Sequence, residues 1–136
     1  MSEMRHVTAT IQCPAAEVYS FASDPRNLPQ WAGGLGGTDV QHEVEQWSMN
    51  TPMGRVLISF VPENPYGVLD HSVTLPSGES TLNPMRVIAL DDQRSEVIFS
   101  LRRGTMSDEE LEADAAAVAE DLAELARILE SGEIPG

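Results

Sequence analysis

The chain has 136 residues and a mass of 14.8 kDa, the size of one domain that buries its own core without a disulfide or metal staple. Its 22 acidic and 8 basic residues give a net charge of −14, which argues against binding a nucleic-acid backbone or an anionic membrane surface. Hydrophobic residues make up 41% of the chain, enough for a globular fold.

The lone Cys13 excludes an internal disulfide framework and fits a reducing compartment. No apolar run reaches the length of a membrane span, so no stable membrane insertion is expected. The opening Met1-Ser2-Glu3-Met4-Arg5 lacks the apolar stretch of a signal peptide. The expectation is one acidic cytoplasmic domain over residues 1–136. All eight basic residues are Arg, which reads as codon usage in a GC-rich, bacterial genome.

In chain order, His6 to Gln12 alternates, with Val7, Ala9 and Ile11 on one side, and reads as a strand with one buried face. Pro14 opens a short helix that buries Val18, Phe21 and Ala22. Asp24 caps a second short helical turn that starts at Pro25 and ends at Trp31. Gly33–Gly37 follows as a flexible loop. It lacks the Lys-Ser/Thr and the strand–loop–helix frame of a nucleotide cradle, so no nucleotide cofactor is expected.

The middle reads as strands over Val44–Asn50, Gly54–Val61, Tyr66–Leu75, Ser80–Leu90 and Glu96–Arg103, with a further short strand near Thr38–Gln41. The turns between them are short and predict antiparallel hairpins. Taking Ser77-Gly78 as a two-residue loop places Leu69 opposite Arg86 and Val73 opposite Leu82. Taking Leu90 opposite Ser95 places Arg86 opposite Phe99 and Ile88 opposite Val97. Working backwards puts Phe60, Ile58 and Val56 beside Leu69, His71 and Val73, and Trp47 and Met49 beside Ile58 and Val56. One face then collects Trp47, Met49, Val56, Ile58, Phe60, Leu69, Val73, Leu75, Leu82, Ile88, Val97, Phe99 and Leu101. The other collects polar residues, including Asp70, Thr81, Asn83 and Ser100. His71 and Arg86 interrupt the apolar face on adjacent strands, with Glu45 and Arg103 towards the sheet ends; buried polar groups need partners or a wet cavity.

The C-terminal segment is the clearest helix. Ser107-Asp108-Glu109-Glu110 is a capping box. Leu111, Ala115, Val118, Leu122, Leu125 and Leu129 form one stripe at helical spacing, and Gly132 suits the stop. Residues 107–133 hold ten of the 22 acidic residues, which read as the solvated outer face.

The order strand, two short helices, several strands, long helix is α+β. The N-terminal run carries a strand from Val7, then Pro14, Glu17-Val18-Tyr19, Phe21, Asp24-Pro25, Leu28 and Trp31. In this order and in these residues the chain resembles the helix-grip superfamily of START domains, polyketide cyclases and pollen allergens (SRPBCC). The resemblance implies a curved antiparallel sheet of about six to seven strands wrapped on the long C-terminal helix. It also implies an apolar cavity between them that holds a lipid or another hydrophobic or aromatic small molecule. In the superfamily the Gly33–Gly37 region lies near the cavity mouth, so a gate is expected there.

The expected ligand-binding residues are Trp47, Met49, Ile58, Phe60, Leu69, His71, Arg86, Phe99, Val118 and Leu122. His71 reads either as a proton-transfer group, its ordinary pKa being near neutrality, or as a satisfied core histidine. Arg86 reads either as a bidentate anchor for a carboxylate or phenolate, or as a structural partner of Glu45 or a helix carboxylate. Trp31 reads chiefly as core.

Three functions stand open. The first is binding of a hydrophobic small molecule, anchored by His71 and Arg86. The second is a polyketide cyclase or dehydratase, with His71 as general base, Arg86 stabilising an enolate and Tyr66 as the remaining candidate acid. The third is an interaction module with a closed core and an acidic docking face at Glu120, Asp121 and Glu124. A homodimer is compatible with each. The three histidines and Cys13 offer no ligand spacing, so no metal is expected.

Overall fold

The computed structural model describes residues 4–32, 38–43 and 46–131. The Gly33–Gly37 gate, Glu45 and the Gly132 stop lie outside the described residues. Strand β1 (Met4–Ile11) leads through Pro14 into helix α1 (Ala15–Ala22). Asp24 accepts the Arg26 backbone N–H at 3.0 Å and starts a 3-10 turn, Pro25–Asn27, that continues as α2 (Leu28–Trp31). Seven strands then run to the long helix, the first six being β2 (Thr38–Glu43), β3 (Gln46–Thr51), β4 (Gly54–Phe60), β5 (His71–Thr74), β6 (Ser80–Asn83) and β7 (Met85–Asp91). β8 (Arg94–Arg102) precedes α3 (Asp108–Ser131).

The described residues thus hold eight strands in two antiparallel sheets, ordered β1-β8-β7 and β2-β3-β4-β5-β6. The eighth arises because the Ser80–Leu90 run breaks at Pro84, where the chain leaves one sheet for the other. A bridge between Val68 and Arg86 joins the sheets. Gly67 makes the junction tight: its carbonyl accepts the Val87 N–H at 2.9 Å, and a Cβ on Gly67 would stand 2.3 Å from the Val87 carbonyl oxygen. The φ of +73° at this position also favours glycine.

Helix α3 starts as expected. The Glu110 N–H donates to Ser107 Oγ at 3.1 Å, and the Ser107 N–H donates to Glu110 Oε1 at 2.9 Å. These bonds hold the Glu110 carboxyl below its ordinary pKa. The stripe packs the helix against β1, β8 and the two short helices. Leu122, Leu125 and Leu129 join one core cluster with Ile11, Phe21, Met49 and Val97, while Leu111 and Ala115 pack with Leu101.

The expected register is correct for β3–β4, where Trp47 pairs with Ile58 and Met49 with Val56. It is off by two residues at β4–β5, where Phe60 pairs with His71 and Ile58 with Val73, which leaves the faces unchanged. Strands β6 and β7 are reversed, for two local reasons. The β5–β6 hairpin is a three-residue loop, Pro76-Ser77-Gly78, with the Gly78 N–H donating to the Leu75 carbonyl and Gly78 at φ +94°. This is a type I turn closed by a left-handed glycine, and it shifts the pairing by one. His71 therefore faces Asn83, and Ser72 faces Leu82.

The second shift is an irregularity between Ala89 and Asp91, which turns the rest of β7 over. Met85 and Val87 point into the core at 0% and 5% exposure, whereas Leu82 and Ile88 are exposed. Arg86 faces outwards with them. The Tyr66–Leu75 run is a strand only from His71. Before it, Asn64 Oδ1 accepts the N–H groups of Tyr66 and Val68 and folds a loop that leaves Tyr66 80% exposed.

Candidate functional site

A cavity of about 210 Å³ lies between the inner sheet face and α3. Ile58, His71, Val73, Asn83 and Phe99 line it from the strands. Leu28 and Trp31 close it from α2, and Val118 and Leu122 cover it from α3. The α3 stripe that packs the core thus also roofs the cavity.

Of the residues expected to bind a ligand, Ile58, His71, Phe99, Val118 and Leu122 line this space. Met49 and Leu69 are fully buried in the core instead. Phe60 stands behind His71, its ring centroid 4.9 Å from the imidazole. Trp47 stacks on His42 at 4.6 Å, on the β2–β3 pair.

Arg86 requires a correction. It is exposed on the outer face and makes a two-pronged contact with Asp70, at 3.0 Å through Nε and 2.9 Å through Nη2. The reversal of β7 is the cause, and the partner is Asp70. The Arg86 contact, with the Met85 N–H at 2.9 Å, holds the Asp70 carboxyl below its ordinary pKa. Tyr66 is also removed from the cavity by its exposure.

His71 is buried at the cavity wall. Its Nδ1 lies 2.9 Å from the Leu69 carbonyl oxygen. A carbonyl only accepts, so Nδ1 carries the proton and Nε2 presents a lone pair. Nε2 has no protein partner among the described residues. The Phe60 face and the edge of Phe99, at 5.8 Å, fix the ring. Burial lowers its pKa, against the weaker opposing effects of the Leu69 carbonyl and Asp70, so the ring is neutral at neutral pH.

Two residues outside the expected ligand-binding set also line the wall. Trp31 is 4% exposed, and its Nε1–H has no hydrogen-bond partner; with Gln30 Oε1 it makes up the buried side-chain polar atoms left unsatisfied among the described residues. An unmet buried donor costs roughly 1–3 kcal/mol. Asn83 lies opposite His71 across the β5–β6 pair and also lines the cavity. The signal that would have found it is Pro76 followed two residues later by Gly78, the pattern of a three-residue hairpin. From α3, Asp114 and Asp121 line the cavity too.

Chemically, the wall offers the His71 Nε2 acceptor, the Asn83 amide and the Asp114 and Asp121 carboxylates within otherwise apolar surroundings. Cys13 adds no nucleophile: burial, then the Glu17 carboxylate that accepts from its thiol at 3.2 Å, pushes its pKa up to about 11. Among the described residues, no three His, Cys, Asp or Glu side chains gather as a metal ion requires, and no helix is long and apolar enough to cross a membrane.

No family profile matches the chain, and no curated protein is similar to it in sequence. Solved structures are similar in fold. An uncharacterised protein from Bacillus thuringiensis superposes with a TM-score of 0.73 at 14% identity, covering 93% of this chain and 98% of that one. DynU16, from the dynemicin biosynthetic locus, gives 0.70 at 18% identity over 95% of this chain and 48% of its own. The di-domain ARO/CYC StfQ, from the steffimycin biosynthetic pathway, gives 0.69 at 15% identity over 95% of this chain and 46% of its own. The chain therefore spans about half the length of the latter two. With antiparallel sheets packed on a long C-terminal helix, and with these neighbours, the chain has the helix-grip fold of the polyketide-cyclase-like structures.

Proposed function

We propose that the protein binds a small, largely hydrophobic molecule in the cavity beneath α3. The observation that carries this reading is an apolar wall that includes one polar atom, His71 Nε2, with no partner among the described residues. Ligand sites combine apolar lining with a few convergent polar groups. A closed core, as an interaction module needs, fills such a space and satisfies such groups. The acidic helix face also loses part of its docking character: Glu124 is ion-paired with Arg127, and Asp121 lines the cavity.

The test is naphthalene binding followed by saturation-transfer NMR, with Ala117→Trp as a plug, since Ala117 lines the cavity. The expected result is a signal in the wild type that disappears in a folded plugged variant, with folding checked by circular dichroism. No signal in the wild type, or equal signals in both proteins, would refute the reading.

A second reading, an aromatase or cyclase-type enzyme, draws on the likeness to StfQ. His71 would then act as general base. The outward Arg86 leaves it without the expected enolate stabiliser, and the lowered His71 pKa makes a weaker base. Binding is therefore the reading the side chains support better.

A further inference from the structure

The cavity wall carries charge of one sign. Among the described residues, the ionic side chains that line it are the carboxylates Asp114 and Asp121. Positions 114, 117, 118 and 121 fall on one face of α3, so the two carboxylates stand two helical turns apart with Ala117 and Val118 between them. Asp114 is exposed and Asp121 is half-buried. All eight arginines are among the described residues, none of them lines the cavity, and the chain has no lysine. On the sheet side His71 is 9% exposed, and its Nε2 lone pair has no partner among the described residues. The ionic groups of the wall and its unpartnered ring nitrogen are thus all acceptors.

We propose that the cavity selects a cation, an aliphatic primary amine in its ammonium form, whose charge lies along the carboxylate face of α3 and one of whose N–H groups donates to His71 Nε2. This rests on the reading of the cavity as a binding site and adds the sign of the charge it selects. Electrostatics sets the sign. Two carboxylates beside apolar walls, with no basic side chain in the lining, make a negative potential, and the net charge of −14 has the same sign. An anion entering there meets repulsion and finds no arginine to offset its lost hydration. Hydrogen bonding sets the kind of cation: an ammonium group brings donors, whereas a quaternary nitrogen brings none and leaves Nε2 unmet. Burial keeps the imidazole neutral, so it accepts from a cation instead of repelling it. Size sets the body: an apolar cavity of about 150 Å³ holds benzene, so 210 Å³ admits one six-membered ring with a short arm.

The experiment titrates four probes by calorimetry at pH 7 and low salt: cyclohexylmethylamine, cyclohexylmethanol, cyclohexanecarboxylate and naphthalene. The amine is expected to bind about tenfold tighter than the alcohol, and the carboxylate at least about tenfold more weakly than the amine. The double variant Asp114→Asn, Asp121→Asn is expected to bring amine and alcohol within about twofold of each other, while naphthalene, which reports that the variant is folded, stays within about twofold of wild type. The control Glu79→Gln, Asp92→Asn removes as much charge at exposed positions outside the lining and should keep the tenfold preference. In wild type labelled with ¹⁵N-histidine, the His71 Nε2 resonance should move further with the amine than with naphthalene, which has no donor. If naphthalene binds but the alcohol matches the amine, the preference survives in the lining variant, the control loses it equally, or Nε2 does not distinguish amine from naphthalene, the cavity reading survives and the ammonium assignment is wrong. If no probe binds, both fall.

Discussion

Asp70 and His71 are consecutive residues at the start of β5, and they point to opposite sides of the sheet. On the outer side Asp70 is met three times, by Arg86 Nε, by Arg86 Nη2 and by the Met85 N–H. On the inner side His71 is met once, at Nδ1, and its Nε2 has no partner among the described residues. The contrast is one of chemistry as well as of count. The outer face carries full charges in mutual contact, partly in water, where pairing costs little and contributes little. The inner face carries neutral groups in apolar surroundings, where an unmet hydrogen bond is expensive. A fold that only needed stability would satisfy the inner groups first. The opposite distribution fits the proposed binding site.

This comparison can be broken at several points. The largest effect is expected at the seam that brings β7 beside β5. Gly67→Ala places a Cβ 2.3 Å from the Val87 carbonyl oxygen at a φ of +73°, and should cost about 3 kcal/mol in urea unfolding. Gly78→Ala, also at positive φ but with nothing within 4 Å, should cost only about 1 kcal/mol. Equal losses would mean that close approach at the seam is unimportant.

On the outer face, Asp70→Ala leaves the Met85 N–H without its acceptor and should cost about 2 kcal/mol. Arg86→Met keeps that bond and should cost less than about 1 kcal/mol. Neither should change affinity for naphthalene by more than about twofold, since both side chains face away from the cavity; about 0.4 kcal/mol is the corresponding limit. A large loss of affinity in Arg86→Met would restore Arg86 to the site.

The smallest effect is in pH dependence. The folded protein holds His71 below its ordinary pKa of 6.5, so below that pH the unfolded chain takes up a proton the folded protein refuses. Stability should therefore fall as pH drops from 6.5 to the folded pKa of His71. In His71→Phe that part of the decline should vanish. The Asp70 contribution lies lower: its folded pKa is held below the ordinary 3.8, so its stabilisation is present above that pH and is lost as pH falls further. Denaturant midpoints measured from pH 8 to pH 3 separate the two windows. Identical profiles for wild type and His71→Phe would contradict the burial assigned to His71.

The parts of the molecule read correctly from sequence are those set by local chemistry or by a pattern long enough to average out error. The Ser107 capping box, the Asp24 cap and the stripe on α3 are of this kind. The inner faces of β3, β4, β5 and β8 were also legible from alternation. Strands β6 and β7 were not, because one extra residue in the Pro76–Gly78 loop and one irregularity near Leu90 each invert a face. That inversion moved Arg86 out of the site and Asn83 into it. Apolar alternation gave no warning, since Leu82 and Ile88 on one side and Met85 and Val87 on the other make equally regular patterns.

The central claim is that His71 offers a neutral, unpartnered Nε2 to the cavity. The most direct measurement is the pair of imidazole nitrogen shifts in protein labelled with ¹⁵N-histidine at pH 7, assigned by loss of the signals in His71→Phe, before and after addition of naphthalene. The account predicts a protonated-type Nδ1 and an unprotonated-type Nε2, with the Nε2 resonance moving when the probe binds. A proton on Nε2, a doubly protonated ring, or an Nε2 resonance indifferent to bound probe would contradict it.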